Sequence, residues 1–172
     1  MPDANGQPMI ANLQIEELGN RGFALAMQML GRRDDAADAV QDALHQLVRK
    51  WRSFDAERGE LTSWFLKIVR NRCVDLIRQR ARRYTEPAEL EQITEHSSQR
   101  PDAVAEKHEM LGLLKAALMS MPDDQREIIL LRDFHNLSYA EVAEILSIPK
   151  GTVMSRLHRA RVELRGRMEQ YQ

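Results

Sequence analysis

Apolar residues recur along this chain at three- and four-residue intervals, and no run of strict alternation is long enough for a sheet strand. The pattern predicts an all-α protein. A first helix is expected over 15–30, stopping near Gly31. Asp34 and Asp35 then suit the start of a second helix, because carboxylates favour the exposed N–H groups of a first turn. That helix carries Ala36, Val40, Leu44, Leu47, Val48 and Trp51 along one side and ends near Phe54. After a loop, a third helix spans 61–83, with Leu61, Phe65, Ile68, Val69 and Leu76 as the stripe that packs on the first two.

Periodicity lapses over 86–103, where Pro87, Pro101, paired serines and many acids read as a flexible acidic linker. It resumes at Val104 and continues to Leu118; Pro122 then opens a helix expected to reach Phe134. Ser138-Tyr139-Ala140-Glu141 is a capping box: the serine hydroxyl accepts from the Glu141 backbone while the glutamate accepts from the serine N–H. A short helix, the break Ser147-Ile148-Pro149 and a longer helix from Lys150 form a helix-turn-helix pattern. The division predicted is a tail (1–14), a helical domain (15–85), a linker (86–103) and a helix-turn-helix domain (104–172).

At 172 residues with 43% hydrophobic and 30% charged positions, the chain can bury a core and is expected to be soluble. Its first residues lack the basic start and apolar stretch of an export signal, and no run is long enough to span a bilayer. A cytoplasmic location without membrane insertion is therefore expected. A single cysteine, Cys73, excludes an internal disulfide. Cations around Cys73 could lower its thiol pKa, but a small packed residue is the preferred reading. His45, His96, His108, His135 and His158 have no metal-ligand spacing, and no glycine-rich phosphate loop is present. No metal, cofactor or small-molecule ligand is expected, and no set of residues suggests an enzyme.

The net charge of −1 conceals an uneven distribution. Residues 65–83 hold seven Lys/Arg against Asp75 alone, and residues 149–168 hold six against Glu163 alone. The stretch between them, 86–110, is acidic, with seven Asp/Glu against two Lys/Arg. Two cationic stretches separated by an acidic spacer suggest two contacts with a polyanion such as DNA, though two solvated helix faces would give the same counts.

On the last helix, Val153, Leu157, Ala160 and Leu164 share a narrow arc, while Ser155, His158 and Arg159 lie opposite, with Thr152 and Met154 at the edges. Such a face suits a helix reading the major groove. On the third helix, Lys67, Asn71, Val74 and Arg78 share a face away from the apolar stripe, and Arg80, Arg82 and Arg83 extend the charge. With Trp64 nearby, that face could hold an unstacked base and its phosphates.

These residues carry a resemblance to bacterial RNA polymerase sigma factors of the extracytoplasmic-function (ECF) group. It rests on Asp38-Ala39-Val40-Gln41-Asp42-Ala43, Ser63-Trp64-Phe65, Arg70-Asn71 and Val74-Asp75 in the first domain. In the second it rests on Met121-Pro122, Gln125-Arg126-Glu127, Leu137 to Ala143 and Gly151 to Arg161. The resemblance implies that Asp38, Gln41, Asp42, Leu44, His45, Val48 and Arg49 dock on the clamp helices of the largest polymerase subunit. It implies that Trp64, Lys67, Asn71, Asp75, Arg78 and Arg82 serve the downstream (minus-ten) element and its melting. Thr152, Met154, Ser155, Arg156, His158 and Arg159 would read the upstream (minus-thirty-five) element. An anti-sigma factor is the further partner implied. The rival reading is a stand-alone helix-turn-helix regulator that binds duplex DNA as a dimer.

Overall fold

The computed structural model describes residues 12–55, 57, 59–83 and 104–170, and every regular element among them is helical. The expected linker, most of the expected tail and the last two residues lie outside this set.

Helix α1 (Asn12–Leu30) begins three residues earlier than the pattern suggested. It ends at Gly31, which adopts φ +73° and donates its N–H to the Met27 carbonyl at 2.9 Å. This is the left-handed terminus that glycine takes without a Cβ penalty. Helix α2 (Arg33–Lys50) follows, with Asp34 and Asp35 in its first turn. A 3₁₀ turn (Trp51–Ser53) and a loop lead to α3 (Leu61–Arg83). The three helices pack on one another around Leu25, Leu47, Phe65, Leu66 and Val69, all fully buried.

Two apolar assignments are corrected. Val48 is 55% exposed, because the buried side of α2 is centred on Ala36, Ala39, Val40, Ala43 and Leu47, and one residue beyond Leu47 turns 100° away. Val74 is half-buried against the core, at the edge of the α3 face to which its spacing had assigned it.

Gly22 of α1 marks the tightest approach in this module. A Cβ there would lie 2.7 Å from Cε1 of Phe65 and 3.2 Å from Val69, whereas one on Gly19 meets nothing within 4 Å. Because Phe65 has no exposed surface, its ring has no free space to move into. Gly22→Ala is expected to destabilise the protein by about 1–2 kcal/mol despite alanine's better helix propensity. Gly19→Ala is expected to be neutral or stabilising by up to about 1 kcal/mol. Denaturant melts of the two variants check the pair.

The second module comprises α4 (Val104–Met119), α5 (Asp123–Ile129), α6 (Tyr139–Leu146) and α7 (Lys150–Glu169). The helix expected to reach Phe134 changes character at Leu130. Residues Leu130–Phe134 form a π turn, closed by the His135 N–H on the Leu130 carbonyl at 3.0 Å. The wider turn keeps Leu130 and Leu131 in the core and leaves Phe134 41% exposed.

The capping box on α6 is formed as anticipated. Glu141 N–H donates to Ser138 Oγ at 3.3 Å, and Ser138 N–H donates to Glu141 Oε2 at 2.7 Å. Ser147 ends α6 in the left-handed region at φ 54°, and Pro149 precedes α7. Val153, Leu157 and Ala160 of α7 are buried against α5 and α6, so the opposite side of the helix is presented outward.

The two modules abut. Helix α3 packs on α6 and α1 packs on the π turn, so the buried side chains of both form one continuous cluster.

Candidate nucleic-acid interface

Burying Val153, Leu157 and Ala160 decides what α7 offers. Met154, Ser155, His158 and Arg159 are exposed, with Met154 at 55%, while Thr152 and Arg156 are half-buried. The Ser155 hydroxyl donates to the Thr152 carbonyl at 3.1 Å, within its own helix. Not every arginine of the stretch is available. Arg161 grips Asp133 through Nε and Nη2 at 3.0 and 2.5 Å, which raises its pKa, and Arg167 is tied to Glu163 and to Ser120. Arg159 makes no ion pair with any described residue.

On α3, Trp64, Lys67, Asn71, Asp75, Arg78 and Arg82 fall within an arc of about 80° at 100° per residue. Asn71, Asp75, Arg78 and Arg82 are exposed; Trp64 and Lys67 are half-buried. Trp64 stacks on Phe54 with ring centroids 5.2 Å apart, and Phe54 in turn meets Trp51 at 5.6 Å, so a ladder of three rings braces the loop before α3. Beside it lies a hollow of about 270 Å³ bounded by Phe54, Glu60, Ser63 and Trp64, with α6 residues on its far side.

Several cations of this helix are already paired. Arg80 bonds Asp35, Arg72 reaches Asp42 at 2.8 Å, and Lys67 lies 3.4 Å from Glu144. Arg70 meets Glu127 two-pronged, through Nε on Oε1 and Nη2 on Oε2, the latter at 2.9 Å. The hydrogen bond that Arg70 donates to Glu127 is the chief reason the Arg70 pKa is raised. Arg70 and Glu127 stand in the sequence as members of the family motifs, with no site role assigned to either, and nothing in their spacing links one to the other.

On α2, Asp38, Gln41, Asp42, His45, Val48 and Arg49 are exposed, and all but Asp38 and Gln41 rim a shallow hollow with Gln46 and Arg72. Leu44 is set apart from them, half-buried against the core. Arg72, which comes from α3, is the member of this rim that sequence spacing could not supply. Cys73 is fully buried, and burial pushes its thiol up to about 12 against the lowering by neighbouring arginines. Among the described residues no cluster of His, Cys, Asp or Glu could hold a metal, and no helix is long and apolar enough to cross a membrane.

Among the described residues every regular element is helical, each of two modules exposes a cationic helix, and one of them is a helix-turn-helix, the class of arrangement found in DNA-binding proteins. The family comparisons narrow that class. Residues 15–83 match sigma-70 region 2, and residues 111–164 match sigma-70 region 4. The chain is 32% identical over 151 residues to the ECF RNA polymerase sigma factor SigW of Bacillus subtilis (strain 168), covering 83% of this chain and 80% of that one. It is 29% identical over 153 residues to ECF sigma factor SigE of Mycolicibacterium smegmatis, covering 88% of this chain and 58% of that longer protein. The fold superposes with a TM-score of 0.74 on the sigma factor RpoE from Bartonella quintana, solved in complex with the anti-sigma factor NepR; identity is 28%, with 91% of this chain and 95% of that one covered. This chain belongs to the ECF RNA polymerase sigma factors.

Proposed function

We propose that the chain is a promoter-specificity subunit of bacterial RNA polymerase, acting in the cytoplasm without catalysis of its own. The outer side of α2, with Asp38, Gln41, Asp42, His45, Val48 and Arg49, docks on the clamp helices of the largest subunit. Helix α3 and the ringed loop before it hold the opened downstream element, and α7 enters the major groove of the upstream element. The observation that carries this reading is the pairing, in one chain with both sigma-70 regions, of the outward faces of α3 and α7.

An anti-sigma factor is the second partner. An apolar groove is lined by Met27 and Gln28 of α1 together with Leu111, Leu114, Met119 and Phe134 of the second module. An amphipathic helix seated there would touch both modules at once. The relative RpoE, solved with its anti-sigma factor, supports this choice of occupant.

Transcription reconstituted with core polymerase tests the main reading. The chain is expected to direct initiation at a defined promoter while binding duplex promoter DNA weakly on its own. A palindromic footprint made by a dimer without polymerase would replace this reading with that of a stand-alone regulator. Within the same assay, Asn71→Ala is expected to slow open-complex formation about fivefold, the worth of roughly one hydrogen bond, with core-polymerase affinity unchanged. Equal losses in both measurements would make Asn71 structural.

A further inference from the structure

Outside its buried arc, α7 exposes two apolar side chains, Met154 at 55% and Val162 at 58%. They are not equivalent. Met154 is the fifth residue of the helix, and Val162 lies about 12 Å further along its axis. In a helix-turn-helix the first turns of the second helix meet base edges, which places Met154 at the bases and Val162 beyond them. The exposed apolar side chains of the same module at Leu111, Met119 and Phe134 line the groove against α1, whereas Met154 stands apart from it.

The groups beside Met154 set what is left for it to do. The Ser155 hydroxyl gives its proton to the Thr152 carbonyl at 3.1 Å, so toward DNA it is an acceptor. Arg156 is half-buried. Arg159 is exposed and stands five positions on from Met154, about 7.5 Å along the axis. That rise equals about two base-pair steps of 3.4 Å.

A thioether has no proton to donate and accepts only weakly, so Met154 binds no phosphate and satisfies no purine acceptor. Guanine and adenine both present N7 to the major groove, and guanine presents O6 as well. Covering these acceptors with an apolar side chain strips their water and returns no hydrogen bond. The apolar group on the groove floor is the C5-methyl of thymine. Packing it on Met154 removes apolar surface from water on both sides of the contact. Three rotatable bonds and a polarizable sulfur let the side chain settle on a methyl without moving the helix. Met154 therefore discriminates twice, by favouring a methyl and by penalising a purine.

We propose that Met154 is a specificity-determining residue for the upstream element: its thioether packs on the 5-methyl group of a pyrimidine in the major groove, about two base pairs from the guanine taken by Arg159. The inference rests on the sigma-factor reading, in which α7 enters that groove. Thymine carries this methyl in ordinary DNA, and 5-methylcytosine carries the same group in modified DNA.

The test uses holoenzyme reconstituted from the full chain and core polymerase. Duplex promoters randomised over the upstream element are bound, and the retained pool is sequenced. Wild type is expected to enrich a pyrimidine at one position, about two base pairs from a guanine whose enrichment Arg159→Ala abolishes. Met154→Gln, similar in length but able to take both N6 and N7 of adenine, is expected to move the first position to adenine. Met154→Leu keeps an apolar tip and is expected to keep the pyrimidine.

The methyl itself is tested on one enriched promoter. Deoxyuridine in place of thymine is expected to weaken wild-type binding about fourfold, the worth of one buried methyl group, and to change binding by Met154→Ala less than about 1.5-fold. In place of cytosine at that position, 5-methylcytosine is expected to strengthen wild-type binding by the same factor and to leave Met154→Ala unmoved. A response in either arm that Met154→Ala loses supports the proposal, and the arm that responds names the source of the methyl. No response in either arm, a response that persists in Met154→Ala, or a pool without pyrimidine preference would each overturn it. Failure of the underlying reading looks different. Wild-type holoenzyme that neither initiates at a promoter nor enriches any upstream sequence sinks the sigma-factor reading, whereas enrichment without methyl sensitivity sinks only the role of Met154.

Discussion

Lowering the pH from about 7 to about 4.5 is expected to remove about 2 kcal/mol of stability through His135 alone. This ring is 7% exposed, its Nε2 lies 3.1 Å from Gln28 Oε1, and its carbonyl accepts from Arg21 Nη2 at 2.9 Å. Burial first, and the Arg21 charge second, depress its pKa from 6.5 to about 4. The folded state therefore binds fewer protons than the unfolded state between those values. Stability is fully present above pH 6.5 and is lost as the pH falls toward 4. The full swing is about 3 kcal/mol.

Glu141 acts in the same direction but at lower pH: its carboxyl is held below the ordinary carboxylate range, so its contribution fades as the pH falls from that ordinary range toward the lowered folded value. The upper part of the window thus belongs to His135. Denaturant titrations at a series of pH values on wild type and His135→Gln check this. The variant is expected to show a much flatter profile above pH 4.5, and parallel profiles would assign the acid sensitivity elsewhere.

Arg159→Ala is expected to lower use of the upstream element by about five- to 150-fold, the equivalent of 1–3 kcal/mol for a well-placed arginine contact to a base. Arg159 is exposed on the outward side of α7, beside Met154 and Ser155 and without an ionic partner among the described residues. Met154 has no hydrogen bonds to offer a guanine, so with α7 docked as proposed a two-pronged contact would fall to Arg159. Arg161 is the contrast. Its guanidinium is committed to Asp133, so Arg161→Ala is expected to show mainly in thermal stability. Initiation rates on promoters with intact and altered upstream elements read the Arg159 effect. A loss independent of the upstream sequence would place its contact on phosphate instead.

The parts of the fold legible beforehand were those with a local cause. The Ser138–Glu141 cap, the break before Lys150 and the buried arc of α7 are each set by residues within a few positions of one another. So were the bounds of α3, where an apolar stripe meets a polar loop. The π turn at Leu130–Phe134 was not legible, because widening a turn by one residue leaves no compositional mark. Val48 was misjudged for a related reason: an arc drawn on one helix does not reveal where its partners centre their contact. The outward face of α7 was found by elimination from its buried arc, whereas the candidates on α2 came only from the family resemblance. The partner of Arg70 was found by neither route, since Glu127 lies 57 positions away on another module and nothing periodic links the two.

The single thiol, closed inside the first module with its proton held until about pH 12, gives the protein a native gauge of its own breathing. A disulfide reagent such as Ellman's reaches it only through a fluctuation that exposes the interior of α3, so the labelling rate counts those openings directly. Dyes attached to cysteines newly introduced at the surface would react far sooner, and distance measurements between the modules need not sacrifice Cys73.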